Sequence, residues 1–383
     1  MMKSLRATRR AAVAGLFLFL SVSAFPATVL VPTLDLISHA DSVGGVYTLQ
    51  TYGDMALSVN GGYKFGGSIA FGLSNQQSLE TPGLTPLGLQ FLSASMTIRQ
   101  VFNLPVSVAY FIGANDVLCS GDGFTQFGVA PIMTAYRGYI AFPTGPMYDG
   151  IYQVWGTGMH LQFVPKVEVA SVDLYLYEDT HPTWPGGAAP LFSGLGSWSG
   201  DLRFLLNLDA VKLEAFLGGT YSPTVAPSGL YRGGLLFYAS NKNVEFLAQI
   251  GIPLWDPVLD PTFNVNLFYL LVEPRLHLGI VSIVPTFFWH PGGYMQAENP
   301  SELGSFDVNL NTYLGDLTKD TVQGGVEGNV QFQAASGQFT VKASPWVGFA
   351  TQGVLWTAKV SAKLLPFDPT DLLEAFVGVQ AEF

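Results

Sequence analysis

The C-terminal segment of the chain, residues 371–383, alternates between two kinds of side chain. One set is apolar and the other is mostly polar: Leu373, Ala375, Val377, Val379, Ala381 and Phe383 against Glu374, Phe376, Gly378, Gln380 and Glu382. Because successive residues of a β-strand point to opposite faces of a sheet, this period of two predicts a strand with one apolar and one polar surface. Such a strand, ending on an aromatic residue, has few uses in a soluble domain.

The same alternation recurs through the C-terminal half of the chain. It is clearest at 201–208, 211–218, 306–314, 322–332, 338–347 and 356–363. The pattern predicts strands of about ten residues separated by turns. A β-sandwich shows the same alternation, with its apolar face turned to a core. The number of strands, and a polar side rich in Gly, Ser, Thr, Asn and Gln, favour a sheet around a wet interior.

The apolar content of the chain is high but dispersed. Of 383 residues, 49% are hydrophobic and only 12% are charged, whereas a soluble protein carries about a quarter charged residues. Beyond residue 24, no apolar run approaches the ~20 residues that a transmembrane helix needs. A closed barrel accommodates this composition, because its strands satisfy the backbone while alternate side chains contact lipid.

The first 24 residues have the organisation of a secretory signal peptide. Four basic residues within the first ten precede an apolar stretch at 11–24, and small residues before and at Ala24 provide a cleavage site. We expect cleavage after Ala24, or slightly later after Ala27; an uncleaved membrane anchor is the alternative. No cysteine lies near this point, which disfavours a lipoprotein.

These features together resemble bacterial outer-membrane β-barrel proteins, over the whole mature chain. The resemblance rests on the export signal, the alternating strands, connections of unequal length and the terminal strand that ends at Phe383. It implies an all-β fold, a transmembrane antiparallel up-and-down β-barrel in the outer membrane of a diderm bacterium. It also implies that the barrel-assembly machinery reads the last strand, including Val379, Ala381 and Phe383.

Counting the predicted strands gives about 16–20, with 18 as the best single figure. We divide the chain into a signal peptide at 1–24, an N-terminal lead-in at 25–42 and the barrel at 43–383. Two regions leave the count open. Residues 43–73 hold two or three strands, because 52–54 and 60–62 both have turn composition, and residues 123–142 hold one or two.

The predicted connections alternate in length, as they do in outer-membrane barrels. Short turns are predicted at 103–105, 164–166, 209–210, 241–242 and 273–274. Long loops are predicted at 74–88, 114–123, 178–200, 222–230, 255–262 and 291–304. We expect the short turns to face the periplasm and the long loops to face outward.

The mature chain is strongly acidic. Residues 1–24 carry four of the 17 basic residues and none of the 28 acidic ones, which leaves 13 basic against 28 acidic residues, a formal charge of −15. This balance argues against nucleic acid as a partner. An acidic wall or acidic loops would favour cations; solvation of the surface explains the acidity equally well.

Charged residues on the polar strand faces are the candidate functional residues. We expect these side chains to face the lumen: Lys64, Arg99, Arg203, Lys212, Glu214, Arg232, Glu245, Asp307, Glu327, Lys342, Lys359, Lys363, Glu374 and Glu382. A barrel of this size encloses an aqueous lumen unless it is plugged. Acidic and basic residues on opposite sides of the lumen would narrow it and create a transverse electric field. Alternatively, these residues pair across neighbouring strands and only fill space.

The sequence gives no support for an enzyme, a cofactor or a bound metal. Its five histidines, His39, His160, His181, His277 and His290, show no metal-ligand spacing. There is no Gly-x-Ser-x-Gly motif. The single cysteine, Cys119, excludes an intramolecular disulfide, and we expect it to be a passive thiol in an outside loop.

The pattern therefore predicts a porin-like channel for passive diffusion of small polar solutes or ions, with a mild cation preference. Lipid of the outer membrane and the assembly machinery are the expected partners, and homo-oligomerisation stays open. One alternative is a transporter for hydrophobic molecules, with Phe216, Trp346 and Phe376 inside and the apolar segment 29–37 entering the barrel. Another is a surface adhesin or structural barrel that binds through loops 178–200 and 291–304.

Overall fold

A computed structural model describes most of the chain after residue 27. The described residues are 28–43, 45–61, 64–78, 88–132, 134, 150–165, 169–180, 197–222, 226–258, 260–262, 264–291, 304–315, 322–334 and 336–382. The predicted signal peptide at 1–24 and the terminal Phe383 lie outside these residues.

Eighteen strands account for most of the described residues. They are β1 Thr28–Val43, β2 Val46–Gly61, β3 Phe65–Ser78, β4 Gly88–Ile98, β5 Val106–Leu118, β6 Tyr152–Phe163, β7 Ala170–Asp179, β8 Trp198–Leu208, β9 Val211–Ser222, β10 Ala226–Ser240, β11 Val244–Trp255, β12 Tyr269–Leu278, β13 Val281–His290, β14 Ser305–Leu314, β15 Val322–Gln333, β16 Gln338–Thr351, β17 Val354–Leu365 and β18 Leu373–Glu382. Short 3₁₀ helices lie at Val101–Asn103, Asp122–Phe127 and Val265–Leu267. Across the described ranges, no helix has the length and apolar character needed to cross a membrane.

All eighteen strands belong to one antiparallel sheet that closes on itself. Each strand pairs with its neighbours in the sequence, and β1 pairs with both β2 and β18. The closing register runs from Thr33 opposite Glu382 to Ala40 opposite Ala375. Closure leaves no unpaired sheet edge, so the backbone hydrogen bonds are made within the sheet. The predicted all-β antiparallel barrel, with 18 strands, is confirmed.

The two faces of the sheet differ in polarity. In β14, Ser305, Asp307, Asn309 and Asn311 are buried, while Phe306 and Leu310 on the other face are 40% and 47% exposed. Exposed apolar and buried polar side chains reverse the usual distribution of a soluble protein. This reversal fits a barrel whose outer wall lies in hydrocarbon.

The connections at the two ends of the barrel differ in length. β1 begins and β18 ends at the same end, which we call the short-turn end. Its connections are 62–64, 99–105, 164–169, 209–210, 241–243, 279–280, 315–321 and 352–353. The opposite end, the long-loop end, has the longest ones, at 79–87, 119–151, 180–197, 256–268 and 291–304.

The structure corrects the predicted start of the barrel. Most of the segment predicted as a lead-in, residues 25–42, belongs to β1, so the barrel begins near residue 28 rather than 43. Segment 29–37 lies in the wall between β2 and β18 and does not enter the interior as a free segment. The prediction failed because the first half of β1 is a nearly continuous apolar run, which lacks the period of two.

Two predicted turns lie elsewhere. Residues 52–54 lie within β2 and do not form a turn. A Cβ at Gly53 would lie 2.3 Å from Leu36 Cδ2, so this position is a glycine because β1 approaches it closely. Residues 273–274 are within β12, and the true turn is at 279–280. Pro274 is tolerated because the pairing of β12 with β13 is interrupted between Val272 and Leu276.

Two loop predictions also need adjustment. The region 123–142, predicted as one or two strands, starts with the 3₁₀ helix Asp122–Phe127 and has no strand in its described residues. The loop predicted at 222–230 shrinks to the connection 223–225, because β10 begins at Ala226. Glycine and proline therefore do not always mark turns in this chain, since Gly53 and Pro274 both lie within strands.

Candidate functional site

The connection between β5 and β6 packs against the inside of the barrel. We call its described residues, 119–132, 134 and 150–151, the inner loop. The Cys119 N–H donates to Glu214 Oε1 of β9 at 2.6 Å, and Gln249 Nε2 of β11 donates to the Cys119 carbonyl at 2.6 Å. Neither β9 nor β11 neighbours β5 or β6 in the sheet, so these contacts cross the interior. They identify the face that carries Glu214 and Gln249 as the inner face.

Glycines on the wall and in the inner loop permit this close packing. A Cβ at Gly234 of β10 or Gly251 of β11 would approach Ile151 Cδ1 to 2.5 or 2.8 Å. A Cβ at Gly123 would lie 1.9 Å from Arg203 Nη2. The buried Ile151 therefore fills a hollow that two glycines leave on the inner face, and the loop backbone lies directly on the Arg203 guanidinium.

Arg203 and Glu214 form a buried ion pair beneath the inner loop. Arg203 Nε lies 2.8 Å from Glu214 Oε1, and both side chains are almost fully buried. Arg203 Nη1 also donates to the Tyr175 hydroxyl at 3.4 Å, and that hydroxyl donates to Asp116 Oδ2 at 2.6 Å. The cluster ties β5, β7, β8 and β9 to the inner loop.

Arg232 is the centre of a second buried cluster. Its Nε and Nη2 donate to the two carboxylate oxygens of Asp201 at 2.6 and 2.7 Å, and both side chains are fully buried. Arg232 also donates to Thr220 at 2.7 Å and to the Tyr177 hydroxyl at 3.0 Å, and it stacks over the Tyr152 ring. The positive charge is thus neutralised and hydrogen-bonded in place.

Most of the other predicted charges also occur in pairs. Lys359 bonds Glu327 at 3.0 Å in a buried pair. Lys342 bonds Glu374 at 2.8 Å, and Lys363 bonds Asp371 at 2.6 Å. These two pairs lie at the long-loop end of β16, β17 and β18.

The remaining predicted residues have varied surroundings. Lys212 is buried near the Tyr238 ring, and Asp307 is buried and accepts from Ser305 at 3.1 Å. Arg99 and Lys64 meet at the short-turn end, where the Arg99 N–H donates to the Lys64 carbonyl at 2.7 Å. They therefore lie apart from the buried clusters.

Val379 and Ala381 of the proposed assembly signal lie in β18. They face Leu36 and Leu34 of β1 in the closing register. The side chain of Glu382 and the whole of Phe383 are outside the described side chains. Their predicted roles stay predictions.

A cavity of about 360 Å³ remains on the inner side of β1, β11–β15, β17 and β18. Thr134 of the inner loop contributes to its lining. Of the residues that line the cavity, the sequence predicted Glu245 and His277 to face the lumen. It did not predict Asp35 or Arg275, or the amide-bearing Asn311, Gln323 and Gln380. Asp35 lay in the presumed lead-in and Arg275 beside a presumed turn, and lone amides on a strand carry no distinctive signal.

The aromatic residues considered as signs of hydrophobic transport are engaged in packing. Phe216 is buried in the cluster that includes Ile151. Trp346 Nε1 donates to Asn311 at 3.0 Å, and Phe376 stacks on His39 with ring centroids 4.4 Å apart. None of the three lines the cavity.

Cys119 is buried inside the barrel and not in an outside loop, which corrects the predicted position. Its Sγ lies 3.8 Å from the Glu214 carbonyl. Burial, with the Glu214 carboxylate nearby, holds the pKa of the thiol well above its usual range. The thiol is therefore protonated and unreactive at neutral pH.

Comparisons with known proteins show a likeness in fold. No family model matches the sequence, and no curated protein matches it. The structure resembles Acinetobacter baumannii OccAB2, with a TM-score of 0.56 and 9% identity over 94% of this chain and 99% of that one. It also resembles Pseudomonas aeruginosa OccD3 (OpdP), with a TM-score of 0.52 and 8% identity over 94% of this chain and 92% of that one.

A third similar structure is the outer membrane protein opdK of Pseudomonas aeruginosa. Its TM-score is 0.51 at 8% identity, over 93% of this chain and 99% of that one. The barrel thus shares its fold with these three proteins, at identities that establish the fold alone.

Proposed function

We propose that this chain is a bacterial outer-membrane channel through which small polar solutes or ions diffuse passively. The observation that carries the proposal is a closed sheet of eighteen strands with an apolar exposed outer face and a polar inner face. An apolar wall around a polar interior is what a water-filled path across hydrocarbon requires. The likeness in fold to the outer membrane protein opdK supports the same conclusion.

The inner loop sets the width of the path in this proposal. It occupies the inner side of β8–β11 through contacts such as Cys119 with Glu214, and it leaves the cavity on the opposite side. Solutes cross beside the loop, where hydroxyl and amide groups replace part of their hydration. The buried ion pairs of Arg203 and Arg232 hold the wall and add little net charge to the path.

The proposed mild cation preference rests on carboxylates that have no basic partner. Asp35 and Asp54 face each other across β1 and β2. Within the described part of the chain, neither makes an ion pair. The formal charge of −15 after residue 24 acts in the same direction.

The export route belongs to the same proposal. A signal peptide at 1–24 would direct the chain to the periplasm, and the assembly machinery would recognise β18 ending at Phe383. Both termini of the barrel are at the short-turn end, which is the end expected to face the periplasm.

Reconstitution into a planar lipid bilayer tests the proposed function. The chain from residue 25 onward, refolded in detergent, is expected to give stepwise currents in KCl. Under a KCl gradient, the reversal potential should show that K⁺ is more permeant than Cl⁻. The variant D35N/D54N should shift the reversal potential toward the unselective value without abolishing the steps. A folded barrel that gives no steps contradicts the channel, and anion preference contradicts the proposed selectivity.

A further inference from the structure

His277 of β12 lines the cavity and has a polar group beside each of its ring nitrogens. Its Nδ1 is 2.9 Å from the Ser282 hydroxyl of β13, and its Nε2 is 3.4 Å from Glu245 Oε1 of β11. A protonated imidazole carries two N–H donors, and a hydroxyl and a carboxylate each accept hydrogen bonds. The surroundings of His277 therefore accommodate the charged ring as well as the neutral one.

Glu245 shares its other carboxylate oxygen with Arg275. Arg275 Nη1 lies 3.0 Å from Glu245 Oε2, while Nε and Nη2 lie 2.8 and 2.7 Å from Glu273 Oε1. Glu273 is fully buried and also accepts from Thr286 at 2.7 Å. Two of the three guanidinium nitrogens of Arg275 therefore bind Glu273, and Glu245 Oε1 faces His277.

Protonation of His277 changes the net charge of this group of side chains. Glu245 and Glu273 carry two negative charges and Arg275 carries one positive charge, so the net charge is −1 with neutral His277 and 0 with protonated His277. Histidine is the side chain whose charge ordinarily changes between about pH 5 and pH 8. Glu245 and His277 are partly exposed in the cavity lining, so permeating ions approach both.

Three other titratable groups lie near this group or across the cavity from it. Tyr238 of β10 is hydrogen-bonded to Glu245, and Asp35 of β1 and Tyr313 of β14 belong to the same lining. Tyrosine is neutral at neutral pH, so it does not alter the charge. A proton taken up by Asp35 would act in the same direction as one on His277, so the two contributions are separated by substitution.

We propose that His277 makes the ion selectivity of the channel sensitive to pH. At about pH 8, with His277 neutral, Glu245 attracts cations to the path. At about pH 6, protonated His277 pairs with Glu245 and cancels this attraction, so the preference for cations declines. The inference deepens the proposed function and rests on it for its meaning, because it concerns which ions cross.

A titration followed by NMR tests the contact with Glu245 without any current. The detergent-solubilised barrel carries ¹³C-labelled histidine, and the His277 ring signal is identified by its absence in H277Q. E245Q should lower the titration midpoint of His277 by about one pH unit, since a nearby carboxylate favours the protonated ring. E374Q removes a carboxylate that does not line the cavity, and it should leave the midpoint unchanged. An unchanged midpoint in E245Q, or an equal fall in E374Q, overturns the inference.

Bilayer recordings under a KCl gradient test the effect on selectivity. Between about pH 8 and pH 6, the ratio of K⁺ to Cl⁻ permeability should fall about two-fold or more in the unchanged protein. H277Q should lose most of this fall, and what remains measures the contribution of Asp35. H290Q, at a histidine that does not line the cavity, should show the full fall. No fall in the unchanged protein, or an equal fall in H277Q, overturns the inference.

The two measurements separate this inference from the proposed function. All variants must first show the folded, heat-modifiable band on gel electrophoresis. A barrel that conducts with the same selectivity at both pH values overturns the inference and leaves the channel. A barrel in which E245Q lowers the midpoint of His277, but which passes no current, contradicts the channel and with it the role of His277 in selectivity.

Discussion

At the scale of single residues, most inner-wall charges are neutralised by a near neighbour. Arg203 with Glu214, and Arg232 with Asp201, are fully or almost fully buried. Taking both charges out of water is expensive, and their attraction offsets that cost only with good geometry and further hydrogen bonds. Arg232 meets this condition because it also donates to Thr220 and to the Tyr177 hydroxyl and stacks over the Tyr152 ring.

We predict that R232M strongly destabilises the barrel. Removing one partner leaves the Asp201 carboxylate buried without its cation, at a cost of about 3–5 kcal/mol. Unfolding by urea in lipid vesicles measures the change. K342M is the control, because Lys342 and Glu374 are partly exposed and such pairs contribute about 1 kcal/mol or less. Equal effects of the two substitutions would contradict the buried pair.

Alternation of polarity predicts the face of each residue but not its partner. Arg203 and Glu214 stand on one face of adjacent strands in the sequence. Their contact depends on the register of β8 with β9, in which Arg203 is opposite Phe216 and Leu205 is opposite Glu214. A shift of two residues would keep both on the same face; in one direction it would place Arg203 opposite Gly218 and separate it from Glu214. The cavity residue Asp35 could not be identified either, because its strand carries no clear period.

At the scale of elements, the inner loop is held by a few buried hydrogen bonds. Cys119 is bound on its N–H by Glu214 and on its carbonyl by Gln249, whose Oε1 accepts from the Tyr269 hydroxyl at 2.7 Å. Sequence analysis placed this segment outside because it has the Gly and Asp content of a surface loop. That content instead reflects tight packing, as at Gly123 beside Arg203.

Loss of the Gln249 side chain should loosen the inner loop. Q249A leaves the partners of a buried hydrogen bond unsatisfied, at a cost of about 1–3 kcal/mol, which raises the population of the loosened loop by about 5- to 150-fold. The reaction rate of Cys119 with a maleimide at neutral pH should rise by that factor. Q338A, at an exposed glutamine away from the loop, should leave the rate unchanged. A fast reaction in the unchanged protein would contradict the burial of the thiol.

The first strand is the element that closes the barrel. β1 pairs with β2 on one side and with β18 on the other. Deleting residues 28–43 should therefore expose two sheet edges and prevent formation of the heat-modifiable, conducting barrel. A chain that begins at residue 25 is the matched control and should fold. If the shortened chain folds and conducts as well as the control, the segment is a lead-in after all.

At the scale of the whole molecule, the fold follows from one repeated pattern. A period of two over many strands, with apolar side chains on one face and polar side chains on the other, leaves a closed barrel as the consistent solution. The strand number was predictable because the alternation marks many of the strands individually, and because the average length of a strand with its connection suits about eighteen strands. The path of the inner loop and the shape of the cavity were not, because they depend on contacts between strands far apart in the sheet.

The central claim is that alternate side chains of one closed sheet face lipid and a polar interior. Spin labels placed singly at each position from Phe306 to Leu314 of β14, in a C119S background and in lipid bilayers, test it most directly. Collision with oxygen should be high at Phe306, Val308 and Leu310, and collision with a water-soluble nickel complex should be low there. The labels between them should show lower oxygen accessibility, giving a period of two. Oxygen accessibility that is uniform along β14, or high at Asp307 and Asn309, would contradict the account.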